Sequence, residues 1–139
     1  MKSARKLTIL WVVICLPALA AAEVAVIVHP SNGVTMDGQA IGRVFLGKTE
    51  SFPNGSKAVP IELAEDVPTR EEFNTKVLKK SAVQLKSYWS RRLFTGKGSP
   101  PKQLPSSDDI IDLVSTNPNI IGYVDAGKVN DSVKVIAEF

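Results

Sequence analysis

The stretch Ala58-Val59-Pro60-Ile61-Glu62-Leu63, followed after Ala64-Glu65 by Asp66-Val67-Pro68-Thr69-Arg70-Glu71-Glu72-Phe73, decides the fold class of this chain. Its first part is short, apolar and partly β-branched, as a strand requires, and its second part reads as the entrance to a helix. Thr69 and Glu72 have the spacing of a capping box, in which each side chain answers a free backbone N–H of the other residue. A helix start leaves several N–H groups unpaired and carries a partial positive charge. It is therefore a seat for an anion, and Arg70 adds a guanidinium beside it. The same residues also suit a plain cap with a solvated arginine. The rest of the chain has to decide between the two.

A strand feeding a helix recurs along the sequence. At 139 residues the chain is one domain. Glu23 to His29 carries Val24-Ala25-Val26-Ile27-Val28, nearly continuous and β-branched, which suits a strand covered on both faces; Pro30-Ser31-Asn32-Gly33 then makes a turn. Met36, Ala40, Ile41, Val44 and Phe45 recur at helical spacing, with Thr35 as the expected N-cap and Gly47 as the stop. Ser81 and Gln84 form a second capping box, opening a helix that aligns Leu85, Tyr88, Trp89, Arg92 and Leu93. Residues 96–107, dense in Gly, Pro and Ser, read as loop. Ser107 is the expected cap of a short helix to Thr116, which Asn117-Pro118 stops. Ile120 to Val124 and Val133 to Ile136 end the chain as strands. Such an order predicts an α/β domain with a mixed sheet flanked by helices.

The first 22 residues stand apart from this domain. Lys2, Arg5 and Lys6 precede the apolar run from Leu7 to Leu19, and small residues crowd Ala18 to Ala22. This is the pattern of a secretory signal peptide cleaved after Ala22, leaving a domain of residues 23–139. The apolar run is shorter than the ~20 residues that cross a bilayer, so no membrane span is expected after cleavage. Cys15 lies inside this apolar run, after Ile14 rather than the small residue a lipoprotein site needs.

Removing the leader changes the charge. Three of the 17 Lys and Arg lie before Glu23, so 14 remain against 14 Asp and Glu, and the domain is neutral. The basic isoelectric point of the whole chain comes from the leader and gives no argument for nucleic acid. The single cysteine also leaves, so the domain has no disulfide and no thiol nucleophile. It must hold itself by its core, burying roughly two-thirds of its unfolded surface at this size.

Residues for catalysis are sparse. With His29 the one histidine, a Cys/His zinc cluster is excluded, and no Gly-x-Ser-x-Gly elbow supports a triad. Asp108, Asp109 and Asp112 suit the first turns of a helix, favourable to its dipole. Gly96 and Gly98 around Lys97 lack the spacing of a phosphate-cradling loop. Lys79, Lys80, Lys86, Arg91 and Arg92 form a helix flank that can set up a local positive field despite the neutral total. No enzyme, metal or cofactor is expected.

Several separated motifs resemble one family. Ile41-Gly42-Arg43-Val44-Phe45-Leu46-Gly47-Lys48 and Phe52-Pro53-Asn54-Gly55 resemble a signature of the phosphate-binding proteins of ABC transporters. Tyr88-Trp89, the run Phe94-Thr95-Gly96-Lys97-Gly98 with Pro100-Pro101, and Asn117 to Val124 resemble its short, single-domain members. The resemblance covers about Val24 to Ile136. It implies a single lobe of a type 2 periplasmic-binding-protein fold and an exported, periplasmic or secreted protein that is not an enzyme.

In that family the ligand loop is an Arg…Gly-Ser-Gly-Thr run at a helix start, shortly before a Phe. Thr69 stands where the motif has its threonine and Phe73 is kept, whereas the Ser-Gly pair is absent and Pro68 supplies no N–H. The resemblance thus implies a site for phosphate or a similar oxyanion at Thr69 and Arg70. Ser31 and Asn32, at the C-terminal end of the first strand, are second choices. Two outcomes stay open: weak oxyanion binding, alone or on assembly with an ABC transporter or another envelope protein, or an accessory protein that keeps the fold without the ligand, pairing with itself or another chain.

Overall fold

The computed structural model describes residues 12–15 and 23–139. Most of the expected signal peptide lies outside the described residues; the four that are described, 12–15, are exposed and have no regular structure.

Five strands form one mixed sheet: β1 (Val24–Val28), β2 (Val59–Leu63), β3 (Lys102–Leu104), β4 (Ile120–Asp125) and β5 (Lys134–Glu138), in the order β3-β2-β4-β1-β5. β2 runs parallel to both β3 and β4, and β1 runs antiparallel to both β4 and β5. Every residue of β1 is fully buried, as its unbroken apolar run predicts. Removing each of its Val and Ile side chains from water contributes roughly 1.5–3 kcal/mol. A bulge at Ile136 lets β5 follow β1 past Val26 and Ile27.

The helices are α1 (Gly38–Phe45), α2 (Pro68–Phe73), α3 (Ala82–Phe94) and α4 (Ser107–Thr116). α2 runs directly into a π-helical turn, Asn74–Leu78, which ends at Lys79 in the left-handed conformation. The core joins the inner faces of α1, α2 and α4 to the sheet through Phe45, Phe73, Ile110, Val114 and Tyr123, all at most 1% exposed. Gly122 is required on β4: a Cβ there would stand 2.6 Å from Cγ2 of Ile110, so its absence lets α4 close on the sheet.

Local chemistry departs from the sequence expectations at four places. Asp37, not Thr35, caps α1, its Oδ1 accepting the Ala40 N–H at 2.7 Å. Ser106, not Ser107, caps α4; the Ser107 hydroxyl is buried and accepts the Asp125 N–H instead. Lys102-Gln103-Leu104 is an edge strand inside the expected loop, too short and too polar to show periodicity, and it exists because β2 offers a free parallel edge. The Thr69–Glu72 capping box does not form. Pro68, with its φ fixed, occupies the first helical position, so α2 starts one residue before Thr69, with Val67 as its N-cap. Glu72 turns to Lys76 at 3.1 Å. The Ser81–Gln84 capping box forms as read, with both reciprocal bonds.

Candidate ligand-binding end of the sheet

β2 buries Glu62 near its C-terminal end, where a buried carboxylate needs a cation. The parallel register of Ile61 with Gly122 sets Glu62 beside Tyr123 of β4. Arg70, on the first turn of α2, reaches back over the strand end. Its Nη1 donates to the carbonyl of Leu63 at 2.9 Å and its Nη2 lies 3.2 Å from Oε2 of Glu62. The two side chains are 12% and 3% exposed, so little solvent screens the pair.

The ring of Phe73 lies flat on Tyr123, centroids 3.8 Å apart, and Phe45 meets Phe73 edge-on at 4.8 Å. These three rings form a buried aromatic cluster around Tyr123, the cross-strand neighbour of Glu62. The Tyr123 hydroxyl is buried without a hydrogen-bond partner among the described residues. Oε2 of Glu62 is ion-paired but likewise lacks a well-directed hydrogen bond.

Burial pushes the Glu62 carboxyl up to about 7; the Arg70 guanidinium opposes the rise and Glu65 adds to it. Desolvation thus outweighs the ion pair. The Tyr123 phenol is also pushed up, by burial first and by the Glu62 charge second. Near neutral pH a proton on Glu62 therefore decides whether Arg70 is neutralised or carries a net positive charge under the start of α2.

The four residues singled out from sequence fall into two places. Thr69 and Arg70 sit together on the first turn of α2, Thr69 half-buried. β2 ends level with the start of β1, because Ile61 pairs with Gly122 and Ala25 with Val124. Ser31 and Asn32 follow the other end of β1, beyond Val28, so at ~3.3 Å per residue at least about 10 Å of strand separates the two pairs. One small anion cannot touch both.

Asn32 is buried in a turn, its Oδ1 accepting from the Val34 N–H and its carbonyl from Nζ of Lys134. Ser31 is exposed, with Oγ 2.7 Å from Nδ1 of His29. Two open hollows, of about 470 and 430 Å³, lie elsewhere, one between β3 and α4 at Leu104 and Leu113, the other around Trp89, Pro100 and Pro101. Among the described residues no cluster of His, Cys, Asp and Glu is placed to hold a metal ion.

Glu62 and Tyr123 were not singled out from sequence. One signal was present: a glutamate between Ile61 and Leu63 breaks a buried apolar run and demands a cation, which Arg70 supplies eight residues on.

This sheet order, with helices packed against it, defines a class: the chain has the fold of a single lobe of the periplasmic-binding-protein type. A solved protein of Clostridium perfringens, described as a phosphate ABC transporter substrate-binding protein with bound phosphate, superposes with a TM-score of 0.65 at 23% identity over 83% of this chain. An ABC-type phosphate transport receptor of Vibrio cholerae gives 0.65 at 18% identity over 83%. PstS of Borrelia burgdorferi gives 0.62 at 13% over 84%. At these identities the likeness is one of fold. The chain spans less than half of each of these proteins, 44%, 45% and 47% respectively. No protein-family model and no curated protein matches the sequence.

Proposed function

We propose that this is an exported, non-enzymatic binding protein that holds phosphate or a related oxyanion weakly, alone or after assembly with a second protein such as an ABC transporter. Cleavage after Ala22 would release the domain of residues 23–139, and the mass of the secreted chain tests this. The observation that carries the proposal is Arg70. Its guanidinium is fixed on the first turn of the helix after β2, in a fold shared with proteins described as phosphate-binding. The Thr69 hydroxyl and the Thr69 backbone N–H add donors at the same point, while Pro68 has no N–H and the Arg70 N–H donates to the Val67 carbonyl at 3.0 Å. One lobe offers an open face, where water screens the ion, so affinity in the millimolar range is expected. Isothermal titration with phosphate and with sulfate is the test: binding heat that disappears in Arg70→Ala supports the site, and no heat at millimolar ligand with the fold intact refutes binding by the free chain.

A second reading has its own observation. Arg70 is already held by Glu62 and the Leu63 carbonyl, and Pro68 contributes no N–H, so the anion seat is partly filled by the protein itself. This favours an accessory protein of the envelope that keeps the fold without the ligand and pairs with itself or another chain. Light scattering across a concentration series separates the two readings: a stable homodimer insensitive to phosphate supports the second.

A further inference from the structure

α3 buries one face and exposes apolar side chains at both ends of the opposite one. Leu85 and Trp89 are buried inward, and the helix is tied down on that side by the Tyr88 hydroxyl on the Leu46 carbonyl, at 2.6 Å, and by Arg92 on the Gly47 carbonyl, at 2.9 Å. Val83, Ser87, Ser90 and Phe94 recur at i, i+4, i+7 and i+11 and so line the opposite face. On that face Val83 is 76% exposed and Phe94 93%, and the neighbouring Leu93 is 54% exposed. Helical spacing puts Lys86 on one flank of this stripe and Arg91 on the other, both exposed, with Lys79 before the helix and Lys97 after it.

Charge is segregated along the same segment. Residues 73–107 contain eight Lys and Arg and no Asp or Glu, whereas all 14 acidic residues of the neutral domain lie outside them. Lys79, Lys86, Arg91 and Lys97 form no ion pair among the described residues. The local field is therefore strongly positive over a helix whose solvent face carries Val83 and Phe94 at its two ends, Ser87 and Ser90 between them, and cations along both edges.

We infer that α3 docks this protein on the surface of an anionic lipid bilayer, lying in the interface with Phe94 and Val83 turned into the acyl boundary. A helix face with a phenylalanine 93% exposed and cations on both flanks matches a flat, negatively charged, apolar-cored surface. Lys86 and Arg91 can lay their aliphatic stems along the stripe while their charges reach the headgroups. A soluble polyanion would use the charges but leave Val83 and Phe94 in water.

The test is flotation of the full chain, in the form cells deliver, with phosphatidylcholine vesicles and with vesicles of phosphatidylcholine and phosphatidylglycerol in equal parts. The chain is expected to float with the mixed vesicles, not with phosphatidylcholine alone, and to be released by salt. The double variant Val83→Ser, Phe94→Ser should lose binding about tenfold or more with unchanged circular dichroism, because both side chains are solvent-exposed in the fold. Lys86→Glu with Arg91→Glu should lose it as well. Any contribution from the first 22 residues is common to all these proteins and cancels in the comparison. Equal flotation of wild type and both variants overturns the inference. So does failure to float with the mixed vesicles, or binding to heparin that ignores Val83 and Phe94 while vesicles are not bound.

Discussion

Replacing Glu62 by Gln should remove most of the pH dependence of folding that the buried pair creates. In the folded protein the Glu62 carboxyl titrates at about 7, against an ordinary 4.5 in the unfolded chain. Because the folded value is the higher, the native state binds the proton more tightly. This stabilisation is fully present below 4.5 and is lost as pH rises through 7. At ~1.4 kcal/mol per pH unit the whole effect is roughly 3 kcal/mol, of which about 2 to 3 fall between pH 5 and 8.5. The Glu62 side chain is 3% exposed, so screening by solvent takes little from it.

Gln keeps the shape of the protonated acid and cannot ionise. Urea unfolding followed by far-UV circular dichroism, at about pH 5, 6, 7, 8 and 8.5, gives the stability of each protein through the window. The wild type should lose about 2 to 3 kcal/mol relative to Glu62→Gln on going up the series, equivalent to a melting shift on the order of 10 °C. Other titrating groups are common to both proteins and cancel in the difference. If the two curves stay parallel within ~0.5 kcal/mol from pH 5 to 8.5, the carboxylate is not desolvated as described and the reasoning fails.

The same proton should act on ligand. An anion bound beside Arg70 raises the Glu62 pKa further, and each unit of that rise appears as about a tenfold loss of affinity between acid and alkaline pH; titration with sulfate, which keeps its charge over this range, reads it. Gly122→Ala should cost roughly 1–3 kcal/mol in urea unfolding, because its Cβ would meet Ile110 at 2.6 Å. Lys79→Gly should gain about 1 kcal/mol by relieving a left-handed lysine with φ of 57° after the π turn, seen as a raised melting temperature. Ser81→Ala should cost roughly 0.5–2 kcal/mol through loss of the capping box that opens α3.

The sequence by itself determined the class of the fold. Val24 to Val28 read as a strand buried on both faces, Ser81 with Gln84 read as a helix start, and strands alternating with helices read as a mixed sheet flanked by helices. Those features are local: period, caps and stops act within a few residues. What depends on contacts between distant residues was settled by the tertiary structure. Parallel pairing with β2 made Lys102-Gln103-Leu104 a strand, and Pro68 at the first helical position overrode the spacing of Thr69 and Glu72. The reversed direction of β1 sent Ser31 and Asn32 to one end of the sheet and Thr69 and Arg70 to the other, which no spacing along the chain records. Arg70 was legible as a cation at a helix start. That Glu62 and the Leu63 carbonyl already hold it follows from β2 burying a carboxylate beside Tyr123, where the cost of desolvation leaves the guanidinium as its nearest compensation.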